Sequence, residues 1–572
     1  MDNFSLKFNT YHRLRFVEYF ILFLVLFVSF YYGISTYAIE NINEGLYAEI
    51  PREMLQIGSF IIPKLNFVPY IEKPPLLYWL IALSYKLFGV SEWSARVVPA
   101  TSAALVCLSF LYFGNALRRN REGWVAALIL ATSVGFVATA RVLLFDMLLT
   151  FFFTSALLSF FLWYRNQNST FLKLFYVLMG LAFLTKGFLA VILIPLIVFS
   201  FMLLVSFPWK KIIQFFDPVG LLLFAALVVP WHYLAMKQQA GFAWDYFINE
   251  QFFRFLDMRV PHDYHTGPFY FYLPKIILYL FPWSLLSIML FRQNASIDRT
   301  LHRFLWLWFT IPLIFFSLSK AKGDYYMIIG LPPLAFLLAL KINEVFIRPQ
   351  RKMLFYLFVA IGLFESIAFG LLYAATSKNS LANYLPDIFR LDPSFLLPLQ
   401  YLLVSVLVVT FTGLLCYRQL TRKPLLQFAS IICLVLFLVV FYVIDKQKIE
   451  DTRSEIALAD YINQHDSERP VYLFKDYEKV SSILFYLKKR LPMIESKSQD
   501  LYYGAHSSAA KGWFVSLNNF MSARENQEAH YIVARKDSFM EFIHSVAPRE
   551  YCIVAQSGSS VLLSNKPQDC GS

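Results

Sequence analysis

About thirteen segments of the chain are apolar over roughly the 20 residues that a helix needs to cross a bilayer, and no other feature restricts the fold as tightly. They fall at approximately 18–38, 95–115, 122–139, 147–163, 171–185, 188–206, 217–236, 270–291, 302–319, 326–341, 353–375, 397–417 and 425–444. In hydrocarbon the backbone N–H and C=O groups must pair within the segment, so segments of this length form helices. The expected fold is a polytopic α-helical membrane protein. Composition agrees: 58% of the 572 residues are hydrophobic and 16% are charged, against about 45–50% and about 25% in soluble domains. A cytosolic enzyme, a disordered chain and a secreted disulfide scaffold are excluded.

The net charge of +13 would suggest a nucleic-acid partner in a soluble protein. Here it follows the positive-inside bias, and no nucleic acid is expected. With a cytoplasmic N-terminus the inner loops carry Lys7, Arg13 and Arg15, then Arg118, Arg119 and Arg121, then Arg165, Lys173, Lys210 and Lys211. Arg292, Arg299, Arg303, Arg348, Arg351, Lys352, Arg418, Arg422 and Lys423 continue the series. The first apolar run begins near Tyr19 and is long enough to span, so it reads as an anchor rather than a cleavable signal. An odd number of spans places the tail on the outer side, and Asn168-Ser169-Thr170 falls on the inner face, where it is not glycosylated.

Two polar regions interrupt this pattern. The first outer loop, 39–94, belongs to the membrane domain 1–444 and contains short amphipathic pieces. Leu46 and Ile50 share one helical face, and Pro51 is acceptable as the first residue of a second short helix. Pro75–Phe88 is too short to span and reads as a helix lying in the membrane interface. The tail, 445–572, shows helical patterns at Arg453–His465 and Val480–Arg490 and strand patterns at Val471–Phe474, His530–Ala534 and Ser559–Ser564. It is expected to be a small soluble α/β domain. Cys107, Cys416 and Cys433 lie in apolar segments, and only Cys552 and Cys570 share a polar region where an oxidised pair could form.

Ionisable groups at or near hydrocarbon depth are costly and mark function. Outside the basic loops they gather at one set of helix ends: Glu44, Glu49 and Arg52; Glu72 and Lys73; Arg141 and Asp146; Lys186; then Arg254, Arg259, His262, His265, Lys320, Lys322 and Asp324, with Tyr325 and Tyr326 beside them. Lys186, in a tight turn before Gly187, either snorkels to the headgroups or fixes a phosphate at the membrane surface. Lys73, ahead of Pro74-Pro75 at the start of the interfacial helix, is either a loop lysine paired with Glu72 or a phosphate ligand. Arg141 and Asp146 fit a structural ion pair as well as a catalytic role. Glu44 and Asp146 are the carboxylates placed to take a proton from an acceptor hydroxyl. His265 reads as a plain hydrogen-bonding residue, as a phosphate ligand or, with Glu72, as one of two candidate ligands of a divalent cation, and the sequence requires no cofactor.

The runs Asn43-Glu44-Gly45-Leu46-Tyr47-Ala48-Glu49-Ile50 and Glu72-Lys73-Pro74-Pro75-Leu76-Leu77-Tyr78-Trp79-Leu80 resemble the first outer loop of bacterial lipid A aminoarabinose transferases. That family stands with the protein O-mannosyltransferases among GT-C membrane glycosyltransferases using polyprenyl- or dolichyl-phosphate sugars. Arg141 to Asp146, Leu184-Thr185-Lys186-Gly187, His265-Thr266-Gly267-Pro268, and Ser319-Lys320 with Tyr326 extend the resemblance across about residues 15–340. It implies a GT-C-like fold in a bacterial inner membrane, with the active site and tail periplasmic. It further implies a polyprenyl-phosphate-linked sugar donor and a lipid, glycan or protein acceptor, with membrane lipids around the spans. Lys73 and Lys186 would contact the lipid phosphate, and Asn43, Tyr47, Arg141, His265, Lys320 and Tyr326 would complete the substrate site. The acidic pair opening the family motif is usually Asp-Glu and is Asn43-Glu44 here; the Arg two positions later is Leu46. A transporter or flippase of a lipid-linked sugar is the alternative reading.

Overall fold

The computed structural model describes residues 18–206, 208–262, 266–291, 298–347, 453–523, 528–545 and 551–571. The last three expected spans, Cys416 and Cys433 lie outside these residues. The ten other expected spans all fall on helix: α1 (Glu18–Phe30), α4 (Glu92–Ala116), α5 and α6 (Asn120–Ala131 and Val134–Ala140), α7 (Phe145–Asn166), α8 (Ser169–Lys186), α9 (Phe188–Leu204), α11 (Pro218–Gln238, after the short α10, Trp209–Phe215), α12 (Tyr272–Tyr279, continued by a tight helical turn Trp283–Phe291), α13 (Arg299–Leu318) and α14 (Leu331–Ile347). Among the described residues five helices are sufficient by length and composition to cross a membrane, or seven if each bent pair, α5/α6 at 69° and the α12 pair at 114°, crosses as one.

Helix α7 is the centre of the bundle, with 89% of its most apolar window buried, whereas the Trp209–Gln238 stretch has only 17% buried and offers its Leu and Val residues outward. α7 packs against α4 and α8, and α8 packs against α11. Phe161, Phe201 and Phe304 join α7 to α9 and α13, with ring centroids 4.9–6.0 Å apart; tilted and edge-on contacts of this kind add about 0.5–1.5 kcal/mol each. Local signals set the helix ends. Ser91 and Ser94 form a reciprocal capping box at α4, and Asn168, the apparent glycosylation site, caps α8 by accepting the Thr170 N–H at 2.9 Å.

The first loop differs from expectation in one respect. Pro51 does not begin a second helix; it lies inside a continuous α2 (Asn43–Ile57), buried from Glu44 to Met54. An internal proline costs about 3 kcal/mol, which burial of so many residues against α3 (Leu76–Phe88, beginning after Pro75) and the tail offsets. A two-stranded ribbon, β1 (Lys64–Leu65) with β2 (Val68–Pro69), links α2 to α3.

The tail residues fold into a six-stranded mixed sheet in the order β5-β4-β3-β6-β8-β7. β3 (Val471–Phe474), β4 (Met493–Ile494), β5 (Phe514–Val515) and β6 (Tyr531–Arg535) are parallel; β7 (Cys552–Ser557) and β8 (Ser560–Ser564) form an antiparallel hairpin on β6. Alternation along the strands divides the two faces. Phe474, Ile494, Ile532 and Leu563 pack with Phe542 of an outer helix, while Leu473, Met493, Val533 and Leu562 join the core shared with the membrane unit. Cys552 is disulfide-bonded, and the Cys570 side chain lies outside the described residues.

This sheet unit is fastened to the first loop. Asn41 accepts from the Ser482 N–H and Oγ at 3.1 and 2.8 Å and donates to Glu455. Asn66 exchanges two hydrogen bonds with Leu491, at 2.8 and 3.0 Å. Gly45 faces the tail helix α16 (Ser482–Leu487, following α15, Ile456–His465), and a Cβ there would lie 2.7 Å from the Ser482 nitrogen, a backbone atom that cannot turn aside. Gly45→Ala is therefore expected to loosen this junction at a cost of about 1–3 kcal/mol, read as faster proteolytic release of the tail at unchanged membrane-domain melting.

Candidate active site

A cavity of about 380 Å³ opens where α2, the loop before α3, α7, the α8–α9 turn and the tail meet. Each wall has a local cause. Asn43 and Tyr47 lie one turn apart at the start of α2, so they share a face. Asp146 occupies the first turn of α7, where the helix dipole favours a carboxylate. Lys186 is the last residue of α8, and Gly187 follows with φ +72. A Cβ at Gly187 would meet the Gln251 side chain at 2.9 Å, so glycine serves both the turn and the close approach of a second cavity residue. Glu250, Gln251, Arg254 and Phe255 come from a π-helical segment, Ala243–Phe253, and the turn after it. This rare form recurs at functional sites.

The polar groups pair around the cavity. Asp146 Oδ1 accepts from Lys186 Nζ at 2.5 Å, and the ammonium lies 4.6 Å from the centre of the Tyr326 ring and 5.6 Å from that of Tyr325. Lys73 Nζ is 3.6 Å from Glu72 and 3.7 Å from Glu250. Glu72 accepts from Arg259 at 2.7 Å; Glu250 accepts from Arg259 Nε and from Arg254 at 3.4 Å. Burial and the neighbouring Glu250 push the Glu72 carboxyl up from its ordinary value, against Arg259 and Lys73. Burial acts on Glu250 as well, but Arg259, Lys73 and Arg254 outweigh it and hold that carboxyl down. The same cavity is also lined by apolar side chains: Phe188, Leu189, Ile192, Phe252, Phe255 and Phe315. Lysine and arginine side chains shared with carboxylates, beside an aromatic and aliphatic lining, fit an anionic headgroup on a hydrocarbon chain.

Asn43, Tyr47, Glu72, Lys73, Asp146, Lys186 and Tyr326 thus line one cavity. Three expected residues do not. Glu44 points away from it: Arg96 clasps both its oxygens at 3.0 and 2.6 Å, and the Leu143 and Glu40 N–H groups fill the remaining lone pairs at 2.8 and 3.1 Å. Burial alone would raise this carboxyl, but Arg96 holds it below its ordinary value. Arg141 is buried elsewhere, donating to the Ser29 and Tyr32 carbonyls, so Asp146 takes Lys186 as partner instead. Lys320 is exposed, 3.9 Å from Asp257, while its neighbours Ser319 and Ala321 line the cavity.

His265 lies outside the described residues. Of the divalent-cation pair only Glu72 can be tested, and a metal there would meet Arg259 and Lys73 already on that carboxylate; among the described residues no three His, Cys, Asp or Glu side chains converge. Sequence reasoning missed Glu250 and Asp500 and did not single out Arg254. For Glu250 and Arg254 a signal existed, ionisable groups in an aromatic run between two spans. Asp500 had none, because only the docking of the tail brings it here.

Residues 72–234 match the dolichyl-phosphate-mannose-protein mannosyltransferase family. The chain is 27% identical over 563 residues to undecaprenyl phosphate-alpha-4-amino-4-deoxy-L-arabinose arabinosyl transferase 1 of Proteus mirabilis, covering 96% of this chain and 98% of that one. It is 32% identical over 392 residues to the corresponding transferase of Pectobacterium carotovorum, 67% of each chain. Its fold is that of ArnT from Cupriavidus metallidurans, solved bound to undecaprenyl phosphate, with a TM-score of 0.80 at 21% identity over 96% of this chain and 98% of that one. These relatives are transferases, which favours group transfer over transport of the lipid-linked sugar. The chain belongs to the undecaprenyl phosphate-alpha-4-amino-4-deoxy-L-arabinose arabinosyl transferase family and is a membrane glycosyltransferase that draws its sugar from a polyprenyl-phosphate donor.

Proposed function

We propose that the donor is undecaprenyl phosphate-4-amino-4-deoxy-L-arabinose and that the acceptor is an envelope lipid of the lipid A type. The observation that carries this reading is the junction, in one cavity, of Lys73, Lys186 and Arg254 with a wall of aromatic and aliphatic side chains. The donor phosphate lies among the cations and its chain runs along Phe188, Leu189 and Ile192. An acceptor oxygen bonds to the anomeric carbon as the bond from that carbon to the phosphate oxygen breaks, through an oxocarbenium-like transition state. The electron pair stays on the departing undecaprenyl phosphate, where the cations stabilise the added charge. If the acceptor is a hydroxyl, Asp146 receives its proton; a phosphate acceptor needs no base. Glu44 acts at one remove, fixing the start of α2 and the turn at Leu143 that leads into α7.

The cavity faces the periplasm in this reading, with the N-terminus cytoplasmic and about thirteen spans in the whole chain. Its support is the direction of the helices: α7 and α8 meet the cavity at Asp146 and Lys186 and carry Arg165 and Lys173 toward their other ends, and α13 begins at Arg299 and ends beside it. Short basic loops stay in the cytoplasm.

Lys73→Ala tests the site directly. With the full chain in lipid nanodiscs and a radiolabelled polyprenyl-phosphate aminosugar, transfer is expected to fall about 10²-fold or more, together with weaker competition by undecaprenyl phosphate. Competition equal to that of the wild type would show that Lys73 does not hold the phosphate.

A further inference from the structure

Four carboxylates and three cations line the cavity: Glu72, Asp146, Glu250 and Asp500 against Lys73, Lys186 and Arg254. Three of the carboxylates are matched by the pairs with Lys186, Lys73, Arg254 and Arg259. The Asp500 carboxylate forms no ion pair or side-chain hydrogen bond among the described residues.

Its placement is built, not incidental. Glu478 Oε1 accepts from Ser498 Oγ at 2.6 Å, from the Gln499 N–H at 2.7 Å and from the Asp500 N–H at 3.0 Å. One side chain therefore folds the whole 498–500 turn. The Glu478 carbonyl accepts the Ile42 N–H at 2.8 Å, immediately before the cavity residue Asn43. On the far side Tyr503 donates to the Ala240 carbonyl and accepts from Gln239 at 3.0 Å, just ahead of the π-helical segment. The turn is held at both ends to elements that line the same cavity.

A sugar-phosphate diester carries one negative charge, which the cations receive. Asp500 is the one cavity carboxylate whose oxygens accept no hydrogen bond among the described residues, so it is the one free to accept from a cationic group on the ligand. We propose that Asp500, supplied by the C-terminal sheet unit, receives the ammonium group of an aminosugar on the lipid-phosphate donor and so sets specificity for a cationic sugar. Burial, then Glu72 and Glu478, push its carboxyl well above the ordinary value against the opposing pull of Arg259 and Lys73; an adjacent ammonium favours the ionised form and adds to that pull. The assignment rests on the donor reading above and adds to it the residue that distinguishes the amino from the neutral sugar.

The test uses the full chain in nanodiscs and two polyprenyl-phosphate donors that differ only in a free or an N-formylated sugar amine. The ratio of kcat/KM for the amino donor to that for the formylated donor is expected to fall by about 10- to 100-fold in Asp500→Asn, the loss of one charge-assisted hydrogen bond. Asp500→Glu should restore part of it. If the wild type transfers the amino sugar and Asp500→Asn changes both donors equally, or neither, the assignment is overturned while the donor reading stands. If the wild type transfers only the formylated sugar, both fail.

Discussion

Lys186→Ala is expected to lower sugar transfer by about 10²- to 10³-fold, the cost of removing one preorganised charge from a developing anion, and to destabilise the protein as well. The second effect follows from the pairing: Asp146 is buried and holds Lys186 at 2.5 Å, so truncating the lysine strands a carboxylate beside the bundle, at about 3–5 kcal/mol. The two effects separate in a double variant. Asp146→Asn with Lys186→Met leaves no stranded charge and should recover most of the thermal stability in detergent while transfer stays lost. Recovery of transfer along with stability would reduce the pair to a structural one. Asp146→Asn alone should discriminate by acceptor: a hydroxyl acceptor loses its base, whereas a phosphate acceptor keeps most of its rate.

The second large effect lies outside the cavity. Arg96 and Glu44 are both buried, and the arginine also donates to the carbonyls of Ile34, Tyr37 and Ala38 at 2.7–2.9 Å. Arg96→Leu leaves Glu44 buried and unpaired and three carbonyls without this donor, an expected loss of about 3–5 kcal/mol. The pH dependence should invert. In the wild type the Glu44 carboxyl is held below its ordinary value, so its contribution is present above that value and lost as pH falls through the lowered one. In Arg96→Leu burial, the largest influence on this carboxyl, is opposed only by the Leu143 and Glu40 N–H groups and raises it, so acidification neutralises it and relieves part of the damage. Thermal unfolding of both proteins between about pH 7 and 4, a range that brackets an ordinary carboxylate, should show the gap narrowing. A gap that widens or stays constant would exclude Glu44 as the source of the loss.

Much of the architecture was legible because hydrocarbon imposes a length and the sheet a period of two. Each of the ten expected spans within the described residues falls on helix, five of them, or seven with the bent pairs, long and apolar enough to cross, and the α3 helix after Pro75 and strands β3, β6 and β8 stand within a few residues of their sequence patterns. Pro51 misled, since local cost was outweighed by burial. In the cavity, Lys73, Asp146 and Lys186 could be found from charge at a helix end beside an apolar run. Glu44 carried the same signal for a different reason, because its partner Arg96 lies 52 positions away and no local pattern announces the pairing.

What the sequence by itself determined is where helices lie within the described residues and, through the family resemblance, the class of ligand, an anion on a hydrocarbon chain. These depend on residue type and spacing along one segment. Only the tertiary structure decided which charges are paired with one another and which face the cavity. Glu44 and Arg141 turned inward to hold backbone, Glu250 and Arg254 entered through a π-helical turn, and Asp500 arrived from the tail. The energy of a charge in a low-dielectric interior depends on what lies within a few ångströms of it, and that distance is not written along the chain.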